Sequence, residues 1–160
     1  MVSTVDKQVG SRLKVWAIAL CIGLAAIVTL TITRPAPVAS MAMTPLSGLM
    51  TLKAMATEAT PYAVAIADGK PTVIEFYADW CTTCQSMAPT ISALHSQYGT
   101  QVNFVMIDID QPQWAEQIAA YGASGVPQFT LLDSQNQTLD TWVGKVPKPI
   151  FTNALKQLVS

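Results

Sequence analysis

The four residues Cys81-Thr82-Thr83-Cys84 sit where a β-branched, aromatic run ends and a helical periodicity begins, and that junction limits the fold more than any other feature of the chain. A thiol at the first turn of a helix meets unpaired backbone N–H groups and the positive end of the helix dipole. Both favour the thiolate, so Cys81 is expected to have a lowered pKa and to act as the nucleophile. Cys84 lies one turn further along the same face, within reach of a disulfide, and is expected to resolve mixed disulfides formed at Cys81. The redox centre is then the cysteine pair itself, with no separate cofactor and no metal. The third cysteine, Cys21, belongs to an apolar run and carries no catalytic expectation. The single histidine, His95, reads as a solvated residue on the polar side of its helix, which leaves neither the ligands of a zinc site nor the partner of a Cys-His nucleophile.

Ahead of the pair, a turn at Asp68-Gly69-Lys70-Pro71 leads into Thr72-Val73-Ile74-Glu75-Phe76-Tyr77-Ala78, which predicts a strand buried on both faces. Such a strand rarely carries an acid. Glu75, buried in its middle, is expected to have a raised pKa and to serve as the proton acceptor for the Cys84 thiol. Downstream, Met87, Ile91, Leu94 and Tyr98 recur at helical spacing until Gly99 closes the helix, and residues 102–109 form the next buried strand. A helix over 114–121, a hairpin of strands 127–132 and 139–143 around Ser134-Gln135-Asn136, and a helix over 149–158 complete the chain. The alternation predicts an α/β fold, a mixed central sheet flanked by helices.

These residues resemble the thioredoxin superfamily over about residues 60–160. The tryptophan before the first cysteine is Trp80, the buried acid is Glu75, the helix-kinking proline five residues after the second cysteine is Pro89, and the glycine near the end of the last strand is Gly144. Gly125-Val126-Pro127 resembles the family's loop facing the disulfide, which implies a cis bond before Pro127 and a Val126 backbone that pairs with an extended substrate segment beside Trp80. The wording from Val73 to Cys81, with Val102-Asn103-Phe104-Val105 and Asp108-Ile109-Asp110, is similar to the membrane-anchored thioredoxin-like proteins of cyanobacteria and thylakoids, the TxlA type. That likeness implies a disulfide reductase serving cytochrome maturation, with apocytochrome c as a substrate and a transmembrane thiol carrier of the CcdA or DsbD kind as electron donor. Two departures bear on the potential. Thr82 and Thr83 bring hydroxyls that can donate toward a thiolate, and Met106 stands where the family often has a lysine near the acid.

Residues 15–32 form eighteen consecutive uncharged positions, apolar except for Gly23, Thr29 and Thr31, and as a helix of about 27 Å they span a bilayer core. Lys7, Arg12 and Lys14 precede the run and Arg34 alone follows it closely, so residues 1–14 are expected in the cytoplasm and the rest in a periplasm or thylakoid lumen. The run exceeds a usual signal-peptide core, which favours an uncleaved single-pass anchor. Residues 33–59, with Pro35, Pro37, Pro45 and four methionines, have the composition of a linker holding at most one short helix near 49–55, and residues 60–160 form the domain. The formal net charge is -1, but five basic and nine acidic residues from position 35 onward leave that part near -4, which excludes a basic nucleic-acid face. The function expected is a membrane-tethered thiol-disulfide oxidoreductase reducing disulfides of exported or membrane proteins. Disulfide oxidase or isomerase activity, and a copper chaperone built on the same two cysteines, are the alternatives these residues leave open.

Overall fold

Strand β1 (Thr72–Tyr77) is buried at all six positions because it has a neighbour on each side and helices on each face. In the computed structural model, which describes residues 45–159, β1 pairs in parallel with β2 (Asn103–Asp108) and antiparallel with β3 (Gln128–Leu132). Strand β4 (Thr138–Val143) continues antiparallel from β3, giving the order β2-β1-β3-β4. Being an outer strand, β4 is largely exposed.

Alternation along β1 divides its side chains between two apolar layers. Val73 and Tyr77 join Phe104, Phe129 and Leu131 on one face, with helices α3 (Thr82–Tyr98) and α5 (Lys148–Leu158) contributing Cys84, Met87, Ile91, Leu94, Phe151 and Leu155. Ile74 and Phe76 join Val105, Ile107 and Leu132 on the other, covered by Ala65 of α2 (Tyr62–Ala67) and Ile118 of α4 (Ala115–Ala120), which continues a 3-10 turn at Pro112–Trp114. The predicted α/β order of helices and strands from residue 60 onward, with a mixed sheet, is therefore the observed one.

The amino-terminal boundary differs from the expectation. Helix α1 (Pro45–Glu58) occupies most of what composition suggested was linker, and it packs chiefly against α3. Leu52 is fully buried and Met55 nearly so, both within the same layer as the cysteines. The contact has a specific origin in α3. Pro89 has no N–H, so the carbonyl of Gln85 loses its helical donor. Gly48 of α1 lies against that carbonyl so closely that a Cβ at position 48 would stand 2.7 Å from the Gln85 oxygen. Only a glycine permits the approach. The proposed anchor at residues 15–32, the segment 1–14, Met41 and Met43 lie outside the described residues; among the described residues no helix is long and apolar enough to cross a membrane.

If α1 belongs to the fold, Leu52→Ala destabilises the domain by about 2–5 kcal/mol, as core truncations do, read from urea unfolding. A linker residue would show no change.

Candidate active site

The carboxyl ends of β1 and β2 and the amino end of β3 meet on one side of the sheet. Tyr77 is opposite Asp108 and Phe76 opposite Gln128, so the segment leaving β1 toward the cysteines passes beside Pro127. Crevices at the carboxyl ends of strands are where open α/β sheets hold their ligands.

Cys81 is the N-cap of α3. Its backbone carbonyl accepts from Gln85 N–H at 3.0 Å, starting the helix, and its Sγ accepts from Cys84 N–H, also at 3.0 Å. A sulfur that receives a backbone N–H at a helix start is in the environment that favours the thiolate. Cys81 and Cys84 are joined as a disulfide with Cα atoms 5.3 Å apart. Cys84 is fully buried, whereas Cys81 keeps 5% of its surface exposed, so an incoming disulfide meets Cys81 first. Among the described hydrogen bonds none runs from the Thr82 or Thr83 hydroxyl to a sulfur; the donor to Cys81 is the Cys84 backbone instead.

Around the pair the loop is held at several points. Trp80 is 64% exposed, and its indole N–H donates to Asp110 Oδ2 at 2.8 Å, which fixes the exposed ring next to Cys81 in the chain. Gln85 donates from Nε2 to the Asp79 carbonyl at 2.7 Å, and Lys53 of α1 forms an ion pair with the Asp79 carboxylate. Both charges are exposed, so the pair positions the loop and contributes at most about 1 kcal/mol. Val126-Pro127 is a cis peptide, as the family likeness implied, and Val126 packs against the apolar layer that contains both cysteines. The Pro127 carbonyl accepts from Gly144 N–H at 2.7 Å; Gly144 has φ +86, a conformation open to glycine. Sequence reasoning did not find Asp110, Lys53 or Gln85. The short helix expected near 49–55 falls within α1, but linker-like composition obscured its full length and its packing into the domain.

Glu75 lies at the centre of β1 between Met106 of β2 and Phe129 of β3 and is 1% exposed. Among the described residues neither carboxyl oxygen has a hydrogen-bond partner, and burial pushes its pKa up to about 8. Its side chain falls on the face that holds Cys84, as alternation with Val73 and Tyr77 requires. Met106 does take the place beside the acid, so no lysine steadies the charged form there. Tyr77, two residues on, has its phenol pushed up to about 12, first by burial and then by Asp108, Asp79 and Glu75. His95 is not the solvated residue expected. It is half-buried, its ring centroid 5.0 Å from that of Phe104.

A disulfide at a helix start, a buried acid on the same side of the sheet and a cis-proline loop define a thiol-disulfide oxidoreductase. The family profile of thioredoxin matches residues 53–157, and the chain belongs to the thioredoxin family. It is 38% identical over 157 residues to the thiol:disulfide interchange protein TxlA of Synechococcus elongatus, covering 98% of this chain and 76% of that protein. It is 41% identical over 113 residues to the chloroplastic thioredoxin-like protein HCF164 of Oryza sativa subsp. japonica, covering 71% of this chain but only 43% of that one. Among solved structures, the germline-specific thioredoxin Deadhead of Drosophila melanogaster superposes with a TM-score of 0.53 at 31% identity, covering 61% of this chain and 89% of that one.

The raised pKa of Glu75 has a definite sign in stability. Between the ordinary value of 4.5 and about 8 the folded state holds a proton that the unfolded state has released. This contribution is therefore fully present below 4.5 and is lost as pH rises through about 8. The expected slope approaches about 1.4 kcal/mol per pH unit within that window, and Glu75→Gln should flatten it in urea titrations run across pH.

Proposed function

We propose that the protein is a membrane-tethered disulfide reductase, acting on exported or membrane proteins and re-reduced by a transmembrane thiol carrier. The observation that carries the direction of attack is the Cys84 N–H donated to Cys81 Sγ at the helix start, with Cys84 itself fully buried. Cys81 thiolate attacks one sulfur of a substrate disulfide and expels the other as a thiolate. Cys84 then gives its proton to the ionised form of Glu75, the minor form below about pH 8, and its thiolate attacks Cys81 Sγ. That step breaks the mixed disulfide, releases the second substrate sulfur and leaves Cys81–Cys84 oxidised. Two electrons have passed to the substrate. Glu75 suits the proton step because its pKa, about 8, lies close to that of an ordinary thiol.

Trp80, the Val126 backbone and Pro127 supply the surface on which an extended substrate segment lies. The tether is the apolar run at residues 15–32, whose flanking charges favour an extracytoplasmic domain. Holding the pair near the bilayer raises its effective concentration for membrane-bound partners. The interchange activity in the printed name of the Synechococcus relative and the chloroplast location in that of the rice relative support this reading. Apocytochrome c, whose cysteines must be thiols to receive haem, is the substrate proposed, and a carrier of the CcdA or DsbD kind is the donor.

In membranes carrying the full-length chain, Cys84→Ser should trap substrates as mixed disulfides through Cys81, visible as reductant-sensitive bands, and the double variant lacking Cys81 should trap none. Equilibration against defined thiol buffers should give the pair a potential near or below that of thioredoxin, about -270 mV; a value near about -120 mV would make the protein an oxidase.

A further inference from the structure

We propose that the polar cleft between α1 and the redox loop is a specificity site that takes a cationic side chain, arginine or lysine, of the disulfide substrate. The inference rests on reading Cys81 as the sulfur that attacks substrate disulfides, and it adds a charge requirement to that substrate. The cleft has a volume of about 420 Å3, room for one long side chain. Unlike the small cavity beside Glu75, which His95 also lines and whose wall is almost wholly apolar, its surface is mostly polar.

Three segments supply that surface. Lys53 and Thr57 come from α1, Tyr77 and Asp79 from the end of β1 and the turn after it, and Asp108 and Gln111 from the end of β2 and the turn after it. Lys53 is engaged with Asp79 Oδ2, and no described hydrogen bond reaches the other oxygen. Asp108 accepts from the Asp110 N–H at Oδ1 and from Gln111 Nε2 at Oδ2, both at 3.1 Å, which leaves a lone pair on each oxygen. Thr57 donates its hydroxyl proton to the Lys53 carbonyl, so its oxygen too is left as an acceptor. The nitrogen donors of the cleft, Lys53 Nζ and Gln111 Nε2, already serve Asp79 and Asp108. Two carboxylates face one ammonium, and one negative charge stays uncompensated.

Tyr77 supplies the independent sign of a missing ligand. Its side chain is only 7% exposed, yet none of the described hydrogen bonds engages its hydroxyl. A buried hydroxyl is rarely left unpaired, because the bond it gave up to water costs free energy. The phenol borders the cleft between Asp108 and Asp79, whose charges act on it after burial itself. An ammonium or guanidinium group carries donors and no acceptor, so it can satisfy the phenol oxygen and both carboxylates together, which a neutral amide or an anion cannot.

The cleft is within a substrate's reach of the cysteines. Asp79 precedes Cys81 by two residues, so their Cα atoms are at most about 7 Å apart. Trp80, between them in the chain, is tied to Asp110 of the turn that also carries Gln111. A substrate joined through its cysteine to Cys81 and extended along Trp80 advances about 3.3 Å per residue, which brings a residue two to four positions from that cysteine to the cleft.

Two peptides with the same internal disulfide, one carrying arginine and the other citrulline three residues from the first cysteine, separate charge from shape. The reduced full-length chain in detergent is mixed with each at low ionic strength, and second-order rate constants are read by rapid quench and alkylation. Arginine should be favoured over citrulline about tenfold. Asp108→Asn should bring the ratio close to one, and Lys53→Gln, which frees Asp79, should raise it. Asp140→Asn, on β4 at the opposite edge of the sheet from β2, should leave it unchanged. Each ratio compares two peptides on one protein, so a general loss of folding does not imitate these shifts. Equal rates for the two peptides, a ratio that Asp108→Asn or Lys53→Gln fails to move in its stated direction, or an equal fall in Asp140→Asn would overturn the cleft and leave the reductase reading intact. Reduction of neither peptide would overturn that reading and this inference with it.

Discussion

A carboxyl group held without a partner in the middle of a fully buried strand is the constraint on which the active end of the molecule depends. β1 can bury Glu75 only because β2 and β3 take up its backbone groups on both edges and two apolar layers close over its faces. The same enclosure that makes the carboxylate costly makes its proton exchangeable with a thiol, since desolvation moves the acid's pKa into the thiol range. The strand also aims the chemistry. Its carboxyl end delivers Trp80 and Cys81 directly onto the start of α3, where the backbone donates to Cys81 Sγ.

Helix α3 serves two purposes that meet at Pro89. Its first turn supports the sulfur, and the missing N–H at Pro89 frees the Gln85 carbonyl that Gly48 of α1 lies against. Through that close approach, and through Lys53 on Asp79, α1 reaches the loop that presents the cysteines. A helix composed of small residues and methionines thus becomes part of the wall around the redox centre and of the cavity beside Glu75.

Where the sequence was legible, the reason was local. β-Branched residues bounded by Asp68-Gly69 and by the cysteines could only be a buried strand, and Met87, Ile91, Leu94 and Tyr98 all face the core as their spacing required. Glu75 was legible from the apolar strand around it, whereas the cis-proline loop was legible through family likeness, since a cis bond leaves no trace in the composition of Val126-Pro127. α1 was obscured because Pro45, Gly48 and scattered Ala, Ser and Thr have the composition of a tether, and its burial depends on a groove made by α3 forty residues away. His95 was misplaced for a related reason: Ser96 and Gln97 beside it are exposed, but Phe104 comes across from β2 to lie against its ring.

The sequence by itself determined the redox pair, the order of elements after residue 60 and the acid that accompanies the pair, because each follows from short-range periodicity and from chemistry between residues close along the chain. The tertiary structure alone decided that α1 belongs to the domain, that Asp110 holds Trp80, and that Glu75 and His95 share one cavity. Those are meetings between elements distant in sequence, fixed by packing two layers onto one sheet, and no local pattern records which residues such packing brings together.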